Sequence, residues 1–229
     1  MPRRRVLNHV LTPPEEYESR RGGRLHQRRV DLVVAAMAAR APDARSACEL
    51  GCGTGAVLAD VARRVPSVGF VGIDVDGPLV DYAQAHHSAL NADFVLADAA
   101  DLDGRSFDFV FSIDFLHHLP DPAASVATIR KGIRPGGVWV IIEPNVWHPA
   151  MAWSQERMKR QGLGEEHFRP WVMGPALRRM FTMVEKRYLH LFPASADRWS
   201  ERLSRLEQVA ERAPMLGASV VYVLRAGTT

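Results

Sequence analysis

The chain has 229 residues, of which 47% are apolar and 24% charged, so it is long enough to bury the core of one large domain. Its longest apolar runs fall far short of the roughly 20 residues that a membrane span needs, and no apolar stretch follows the basic N-terminus as in a secretory signal. We therefore expect a globular protein without a membrane span, located in the cytoplasm.

The positive charge is concentrated at the beginning of the chain. The formal net charge is +3, and the first 30 residues contain eight arginines but only three glutamates. Such a segment can contact nucleic acid or an anionic surface, but a solvated tail followed by an amphipathic helix is the commoner explanation. Cys48 and Cys52 have no second cysteine pair and no histidine nearby, which indicates small buried fillers in a reducing compartment.

Short apolar runs and helical patterns alternate from residue 44 onward, which predicts strands of a parallel sheet joined by helices. We expect residues 1–43 to form a basic segment with a helix at 25–39, and residues 44–229 to form the main domain. In chain order, we predict strand 46–50, helix 56–65, strand 69–75, a helix to about residue 87, strand 93–99, strand 107–113 and a helix after Asp121. A turn at Gly136 and Gly137 then leads into a fifth strand.

The last third has a different pattern. Residues 144–178 show no clear strand but contain three tryptophans and several methionines, which predicts a helical lid inserted after the fifth strand. Strand 184–192, helix 196–212 and strand 218–226 are then expected to complete the sheet.

A cluster of three glycines, Gly51, Gly53 and Gly55, follows the first predicted strand in the sequence CELGCGTG. A strand, a glycine turn and a helix form a ligand site at the carboxyl edge of a parallel sheet. No lysine follows the glycines, which excludes a P-loop. The spacing of Gly51, Gly53 and Ala56, with Asp74 about 20 residues on, leaves a dinucleotide site open.

Five segments in order resemble the successive motifs of class I S-adenosylmethionine-dependent methyltransferases: ELGCGTG, GIDVD, LADAADL, FDFVFSIDFLHHLPDP and IRPGGVWVIIEPN. The resemblance covers about residues 44–145. It implies an α/β fold with a doubly wound, mostly parallel, seven-stranded Rossmann-like sheet whose last strand is antiparallel. It also implies an enzyme that uses S-adenosylmethionine and releases S-adenosylhomocysteine.

The resemblance assigns cofactor contacts residue by residue. Asp74 would bind both ribose hydroxyls, Val75 would pack on the adenine, and Asp98 and Ala99 would meet its amino group and ring edge. Glu49 would act near the methionine ammonium. The remaining expected contacts are the glycine loop, with Gly51, Cys52, Gly53 and Gly55, and the end of the fourth strand, with Ser112, Ile113 and Asp114.

Methyl transfer needs a base only when the acceptor must lose a proton, and three candidates follow the fourth and fifth strands: His118, Glu143 and His148. The paired His117 and His118 belong to the family pattern, where such residues more often pack or orient, so His148 is the preferred base. We assign no metal, because adjacent histidines on a turn are expected to point apart.

The aromatic residues of the lid either enclose the acceptor or form a small core of the lid itself, and both interpretations favour a small-molecule acceptor. It is expected to be a secondary metabolite or a glycan- or lipid-linked intermediate. Tyr17 and His26 are expected to fold over the cofactor. The alternatives are a nucleic-acid methyltransferase, an NAD-binding Rossmann protein and a non-catalytic binding module. The acceptor, the receiving atom and the oligomeric state stay open.

Overall fold

Seven strands form one sheet that organises the molecule. The computed structural model describes residues 13–21, 23–87, 91–99, 102, 104–119, 121–160, 169–189, 213 and 216–228. The strands are β1 (Ser46–Leu50), β2 (Gly69–Asp74), β3 (Ala92–Leu96), β4 (Phe107–Ile113), β5 (Ile133–Pro144), β6 (Phe181–Leu189) and β7 (Ser219–Ala226).

Helices cover both faces of this sheet. They are α1 (Pro14–Arg21), α2 (Arg24–Arg40), α3 (Ala56–Arg64), α4 (Gly77–His87), α5 (Pro122–Lys131), α6 (Pro149–Arg160) and α7 (Pro170–Met180), with a short 3₁₀ turn at Leu116–His118. The apolar side chains of α2, α3 and α4 share one core cluster with one face of the sheet, and those of α5 and α7 share a second cluster with the other face.

The strand order is β3-β2-β1-β4-β5-β7-β6. Strands β1 to β5 pair in parallel, whereas β7 pairs antiparallel with both β5 and β6. The predicted seven-stranded Rossmann-like sheet with an antiparallel last strand is therefore confirmed. Because β1, β2 and β4 run side by side in the same direction, their carboxyl ends meet at one edge, where open α/β sheets bind ligands.

The central strands are buried on both faces, as their continuous apolar sequences predict. In β4, Phe109 and Phe111 belong to the core cluster under α2, while Val110 belongs to the opposite cluster. The same alternation in β5 places Val138, Val140 and Ile142 in the first cluster and Trp139 and Ile141 in the second.

Several predicted boundaries differ from the structure. The fifth strand begins at Ile133, before the two glycines that were predicted as a turn. Ile133 pairs with Phe107 and Val138 pairs with Phe109, so residues 134–137 form an irregularity within β5. Gly136 has a φ of 75° there, a conformation that glycine adopts without strain. The sixth strand begins at Phe181, three residues earlier than predicted.

The expected lid contains two helices, α6 and α7. Residues 161–168 between them lie outside the described residues, as does the predicted helix at 196–212. Within the described part of the chain, no helix has the length and apolar character that a membrane crossing requires.

Candidate functional site

The glycine loop connects β1 to α3 and is held against β2 by backbone hydrogen bonds. Gly51 N and Cys52 N donate to Ile73 O at 2.8 and 3.1 Å, and Gly55 N donates to Cys52 O at 2.9 Å. Gly51, Gly53 and Gly55 have φ values of 71°, 54° and 80°. All three are in the left-handed region, which L-residues with a Cβ adopt only at a cost. The loop therefore needs glycines to form its turn.

Two aromatic rings also approach this loop closely. A Cβ on Gly51 would lie 2.4 Å from Cδ2 of Phe115, and one on Gly55 would lie 2.5 Å from Cε1 of Phe94. The expected contact of Gly51 with the cofactor stays a prediction, and the structure adds that the ring of Phe115 occupies the place of a Cβ at this glycine. Phe115 follows β4 and was not among the predicted site residues.

Asp74 ends β2 directly beneath the glycine loop. Its Oδ2 accepts a hydrogen bond from Gly53 N at 2.7 Å, and its Oδ1 accepts one from Asp76 N at 3.0 Å. Burial raises the pKa of Asp74 above its ordinary value, although the backbone N–H groups of Gly53, Asp76 and Val75 act in the opposite direction. A partly desolvated carboxyl group is thus held at the edge of the sheet.

Apolar and acidic groups continue along this edge toward β3. Val75 is 58% exposed and Leu96 is 59% exposed, so both present apolar side chains to solvent. Asp98 is half-buried and Ala99 is buried just after β3. The backbone of this segment is tied to β2, since Ala97 N donates to Asp74 O at 2.9 Å. The structure therefore places the end of β2, with Asp74 and Val75, next to the segment after β3, with Asp98 and Ala99.

Glu49 and the two cysteines lie inside the site. Glu49 is only 3% exposed and is paired in register with Gly72 and Phe111. Cys48 and Cys52 are free and buried, and burial raises the pKa of both thiols. Cys52 packs in the core cluster with Phe94 and Leu58, which agrees with its predicted role as a small filler.

The three residues predicted at the end of β4 have different surroundings. Ser112 is fully buried and its Oγ accepts a hydrogen bond from Trp139 Nε1 at 3.2 Å, and Ile113 is also buried. Asp114 is half-buried and adopts a φ of 51°. Its Oδ2 accepts a hydrogen bond from Nη2 of Arg29 at 2.5 Å. The expected contacts of these residues with the cofactor stay predictions.

Glu143 is a buried anchor for the segment after β4. Its Oε1 accepts from Phe115 N at 2.9 Å and from Leu116 N at 2.7 Å, while its Oε2 lies 2.7 Å from Nδ1 of His117. Both carboxylate oxygens are engaged and the residue is inaccessible to solvent. This geometry is poor for a base that must reach an acceptor.

The two adjacent histidines do not point apart, contrary to the sequence-based expectation. The ring centroids of His117 and His118 are 4.0 Å apart, and the two rings are tilted by 41°. His118 is half-buried beside the buried His117. Among the described residues, no group of three or more His, Cys, Asp or Glu side chains is arranged to hold a metal ion.

His148 lies between β5 and α6. The backbone N of His148 donates to Asn145 O at 3.0 Å, and its backbone O accepts from Ala152 N at 3.0 Å. His148 is half-buried. Beside it, the rings of Trp147 and Trp171 meet edge to face with centroids 5.2 Å apart. These tryptophans remain 45% and 53% exposed, so they are not the closed core of the lid. They present an aromatic surface next to His148.

Sequence reasoning missed Arg29 and misplaced His26. Nε2 of His26 lies 2.6 Å from Oδ2 of Asp60 on α3, so His26 joins two helices. Arg29 is 8% exposed and reaches the edge of the sheet. The sequence held one indication that Arg29 is buried, because Arg29 lies on the face of α2 that also carries the apolar residues Val30, Val33 and Met37. The side chain of Tyr17 and residues 1–12 lie outside the described structure.

Comparison with known proteins identifies the domain around this site. Residues 47–137 match the family model described as "Methyltransferase domain". An uncharacterized methyltransferase from Mycobacterium bovis is 31% identical over 96 residues, which are 41% of this chain and 48% of that protein. Trans-aconitate 2-methyltransferase from Deinococcus radiodurans is 35% identical over 96 residues, which are 42% of this chain and 36% of that protein. The chain thus spans less than half the length of either relative.

A solved structure extends the likeness of fold beyond the matched region. The N-methyltransferase NodS from Bradyrhizobium japonicum, in complex with S-adenosyl-L-homocysteine, has a TM-score of 0.61 and 17% identity. The likeness covers 88% of this chain and 87% of that one.

Proposed function

We propose, from the premise that the chain carries a class I S-adenosylmethionine-dependent methyltransferase domain, that it transfers a methyl group from S-adenosylmethionine to a small-molecule acceptor. One observation carries the proposal: the carboxylate of Asp74 ends β2 and accepts a hydrogen bond from Gly53 N in the glycine loop. A carboxylate has the acceptor capacity to bind both ribose hydroxyls. The family match of residues 47–137, which includes Asp74, supports this assignment.

The charges at the edge fit this cofactor. Its methionine part carries an ammonium and a carboxylate, its sulfur is cationic, and it has no phosphate. Among the described residues, the charged side chains at this edge include Glu49, Asp74, Asp98, Asp114 and Arg29. A set in which acids predominate suits a ligand of net positive charge better than the pyrophosphate of a dinucleotide.

The residues at the edge have separate binding roles in this proposal. Asp74 holds the ribose hydroxyls, the exposed side chain of Val75 packs on the adenine, and Asp98 accepts from its amino group. The backbone of Ala99 meets the ring edge, and Glu49 binds near the ammonium. When bound, the cofactor supplies an electrophilic methyl group on a sulfonium.

The protein's contribution to the chemistry is then mainly positioning. In-line transfer requires the acceptor atom about 3 to 3.5 Å from the methyl carbon, on the side opposite the sulfur. Glu143 positions the segment after β4 through Phe115 N, Leu116 N and His117. The ring of His118 lies next to that of His117, with centroids 4.0 Å apart, and helps to orient this segment.

The acceptor side is formed by the aromatic surface next to His148. The exposed pair of Trp147 and Trp171 favours an acceptor with a ring or an apolar part. The Deinococcus relative is named for a small-molecule substrate, trans-aconitate, which supports an acceptor of that size. The two buried free cysteines are consistent with a reducing compartment, and we propose that the protein acts in the cytoplasm.

Calorimetric titration with S-adenosylhomocysteine tests the cofactor assignment. We expect the wild-type protein to bind it and Asp74→Ala to weaken binding about 10- to 100-fold, because a charged hydrogen-bond acceptor is lost. Asp121→Ala is the matched control, since Asp121 caps α5 through Ala124 N. Absence of binding by the wild type, or tighter binding of NAD, would refute the proposed function.

Replacement of His148 tests its role as the base. With a hydroxyl or ammonium acceptor, His148→Gln is expected to lower kcat about 100-fold or more while leaving the affinity for S-adenosylhomocysteine unchanged. His86→Gln is the control, because this exposed histidine on α4 bonds to Tyr82 O in its own helix and stacks on the Tyr82 ring. Unchanged turnover of His148→Gln would remove His148 from the mechanism.

A further inference from the structure

Helix α7 carries apolar side chains on two opposite faces. Its inner face packs in the core through Met173 and Leu177, which are 2% and 0% exposed. Its outer face carries Trp171 and Val172, which are 53% and 49% exposed. A surface helix of a globular protein usually turns a polar face to solvent. Packing inside the described part of the fold therefore does not account for the outer apolar residues of α7.

The apolar surface at the beginning of α7 continues onto the segment after β5. The ring of Trp147 meets the ring of Trp171 edge to face, with centroids 5.2 Å apart, and Trp147 is itself 45% exposed. Single exposed apolar residues are ordinary, whereas contiguous ones mark interaction sites. We call Trp147, Trp171 and Val172 the outer apolar patch.

Two arginines lie on the same face at the other end of α7. Arg178 and Arg179 belong to its last turn and are exposed. Because an α-helix has 3.6 residues per turn, they lie about two turns, or about 11 Å, beyond Trp171 and Val172 on the same side. Nη2 of Arg178 donates to the uncharged Sδ of Met183 at 3.8 Å, and among the described residues neither arginine forms a salt bridge with an acid. Both guanidinium groups can therefore bind an external anion.

Positive charge predominates in the whole segment around this helix. Residues 144–180 contain six lysines or arginines and three glutamates. Their excess of three equals the formal net charge of the entire chain, +3, so the remainder of the sequence is neutral in sum. Arg157 and Arg160 on α6 and Arg169 before α7 are exposed as well. The partner that fits this face offers anionic groups next to an apolar region.

We propose that the outer face of α7 docks on the surface of an anionic lipid bilayer, with the outer apolar patch at the headgroup boundary and Arg178 and Arg179 on lipid phosphates. Tryptophan is favoured at that depth because its ring is apolar and its N–H finds polar partners. Arginine binds phosphate oxygens through its guanidinium while its stem packs on apolar groups. Docking would turn the acceptor side, which contains the same tryptophans, toward the bilayer. The inference goes beyond the proposed function, because lipid binding requires neither cofactor nor acceptor.

Two other occupants fit this face less well. Interfaces with nucleic acid are polar and strongly charged, and the exposed aliphatic side chain of Val172 would gain little from phosphate groups. A second copy of the chain would bring two further arginines to the contact, and α7 contains no acid to neutralise them. A lipid surface supplies phosphate and apolar groups together.

Flotation with lipid vesicles tests the proposal. One set of vesicles contains phosphatidylcholine alone, and the other contains equal parts of phosphatidylcholine and phosphatidylglycerol. We expect the wild-type protein to float only with the second set at about 0.1 M salt, and to be released at about 1 M salt, because the Debye length falls from about 10 to about 3 Å. A protein that does not float with the anionic vesicles would overturn the proposal.

Replacement of the two arginines tests the charged part of the contact. Arg178→Gln combined with Arg179→Gln should lower the affinity for the anionic vesicles about 10- to 30-fold, because each arginine near such a surface contributes about fivefold. The matched control is Arg63→Gln combined with Arg64→Gln. These two arginines also lie in the last turn of a helix, α3, which packs on the other face of the sheet. The control removes the same charge and should change the affinity by less than about threefold, since charges beyond a Debye length are screened.

Replacement of an apolar side chain tests the other part of the contact. Val172→Gln should lower the affinity for the anionic vesicles about 3- to 10-fold, because about half of a valine side chain is no longer buried in lipid. Val172 is exposed, so this variant gives a result even where the double arginine variant does not fold, which circular dichroism checks. Unchanged affinity of the folded Val172→Gln protein would overturn the docking of the outer apolar patch.

The remaining outcomes assign the binding elsewhere. Equal loss of affinity in the two double arginine variants would overturn the proposal, because the total charge, including the eight arginines of the first 30 residues, would then explain the binding. Binding of a DNA or RNA duplex that only the Arg178 and Arg179 replacements abolish, without flotation, would assign the face to nucleic acid. A dimer in analytical ultracentrifugation that Val172→Gln dissociates would assign it to a second copy of the chain.

Discussion

Gly51 is constrained twice, by its own backbone and by a neighbouring ring. Its φ of 71° disfavours any residue with a Cβ, and the ring of Phe115 occupies the place where that Cβ would be. The first constraint belongs to the loop and would be present in an isolated peptide. The second arises only in the folded protein. Substitutions at Gly51 and Phe115 can separate the two contributions.

Gly51→Ala is expected to lower the free energy of unfolding by at least about 2 kcal/mol, about 1–2 kcal/mol from the left-handed φ and the remainder from displacing Phe115. When Phe115 is already alanine, Gly51→Ala should no longer have to displace the ring and should retain only the loss due to φ. The loss of unfolding free energy in the double variant should therefore be smaller than the sum of the losses in the two single variants. Gly77→Ala is the control, because a Cβ at that position would meet no atom within 4 Å and alanine favours the helix. Urea unfolding is measured for the wild type, Gly51→Ala, Phe115→Ala, the double variant and Gly77→Ala. Equal stability of Gly51→Ala and Gly77→Ala would contradict the prediction.

The predictability of the site from sequence differs from residue to residue. The position of Asp74 was predictable because it depends on local order, namely a strand end about 20 residues after a glycine turn. Arg29 could not be assigned in this way, because its partner Asp114 is 85 residues away in the chain. Glu143 shows a further limit of prediction from sequence. Its place at the end of a strand predicted a catalytic base, but its side chain is buried and inaccessible to solvent. Side-chain direction and distant partners are properties of the packed sheet.

At the level of the elements, Asp108 joins the beginnings of three strands at the edge opposite the site. Its Oδ2 accepts from Arg45 N at 2.9 Å, from Ser46 N at 3.0 Å and from Ser46 Oγ at 2.9 Å, and its Oδ1 accepts from Arg134 Nη1 at 2.7 Å. Burial by itself raises the pKa of Asp108, but the hydrogen bonds from Arg134, Arg45 and Ser46 outweigh it and lower the pKa to about 2. The charged form of Asp108 thus stabilises the alignment of β1, β4 and β5.

The lowered pKa predicts an acid-sensitive contribution to stability. Because the pKa of Asp108 falls from 3.8 in the unfolded chain to about 2 in the folded one, its contribution is fully present above about pH 4 and is lost as the pH falls toward 2. After allowance for solvent screening, we expect this contribution to be about 1 kcal/mol. Asp108→Asn should therefore be less stable than the wild type at about pH 5, with a difference that narrows toward pH 2.

Thermal unfolding between about pH 2 and 5 measures this difference. Arg134→Gln should reduce the pH-dependent part, because the Arg134 contact is the foremost of those that lower the pKa. A difference between Asp108→Asn and the wild type that stays constant over this range would contradict the assignment.

For the whole molecule, the sequence predicted the sheet and one of its edges far better than the lid. The order of the motifs established β1 to β5, because each of these parallel strands is a short run in which apolar residues predominate. The lid has no such regularity, and its exposed tryptophans could not be told from core tryptophans by composition. Burial separates the two cases, since Trp139 is fully buried whereas Trp153 is 66% exposed.

The position of β7 has a consequence for the order in which the sheet can be assembled. Among the described strands, β7 is synthesised after the other six, yet it lies between β5 and β6. Strands β1 to β5 can pair as they are synthesised, whereas β6 gains its neighbour in the described sheet only when β7 follows. During that interval β6 and one side of β5 expose open hydrogen-bonding edges, which are the sites where nascent chains associate wrongly. We therefore expect the later half of the sheet, and not the cofactor edge, to govern the yield of folded protein.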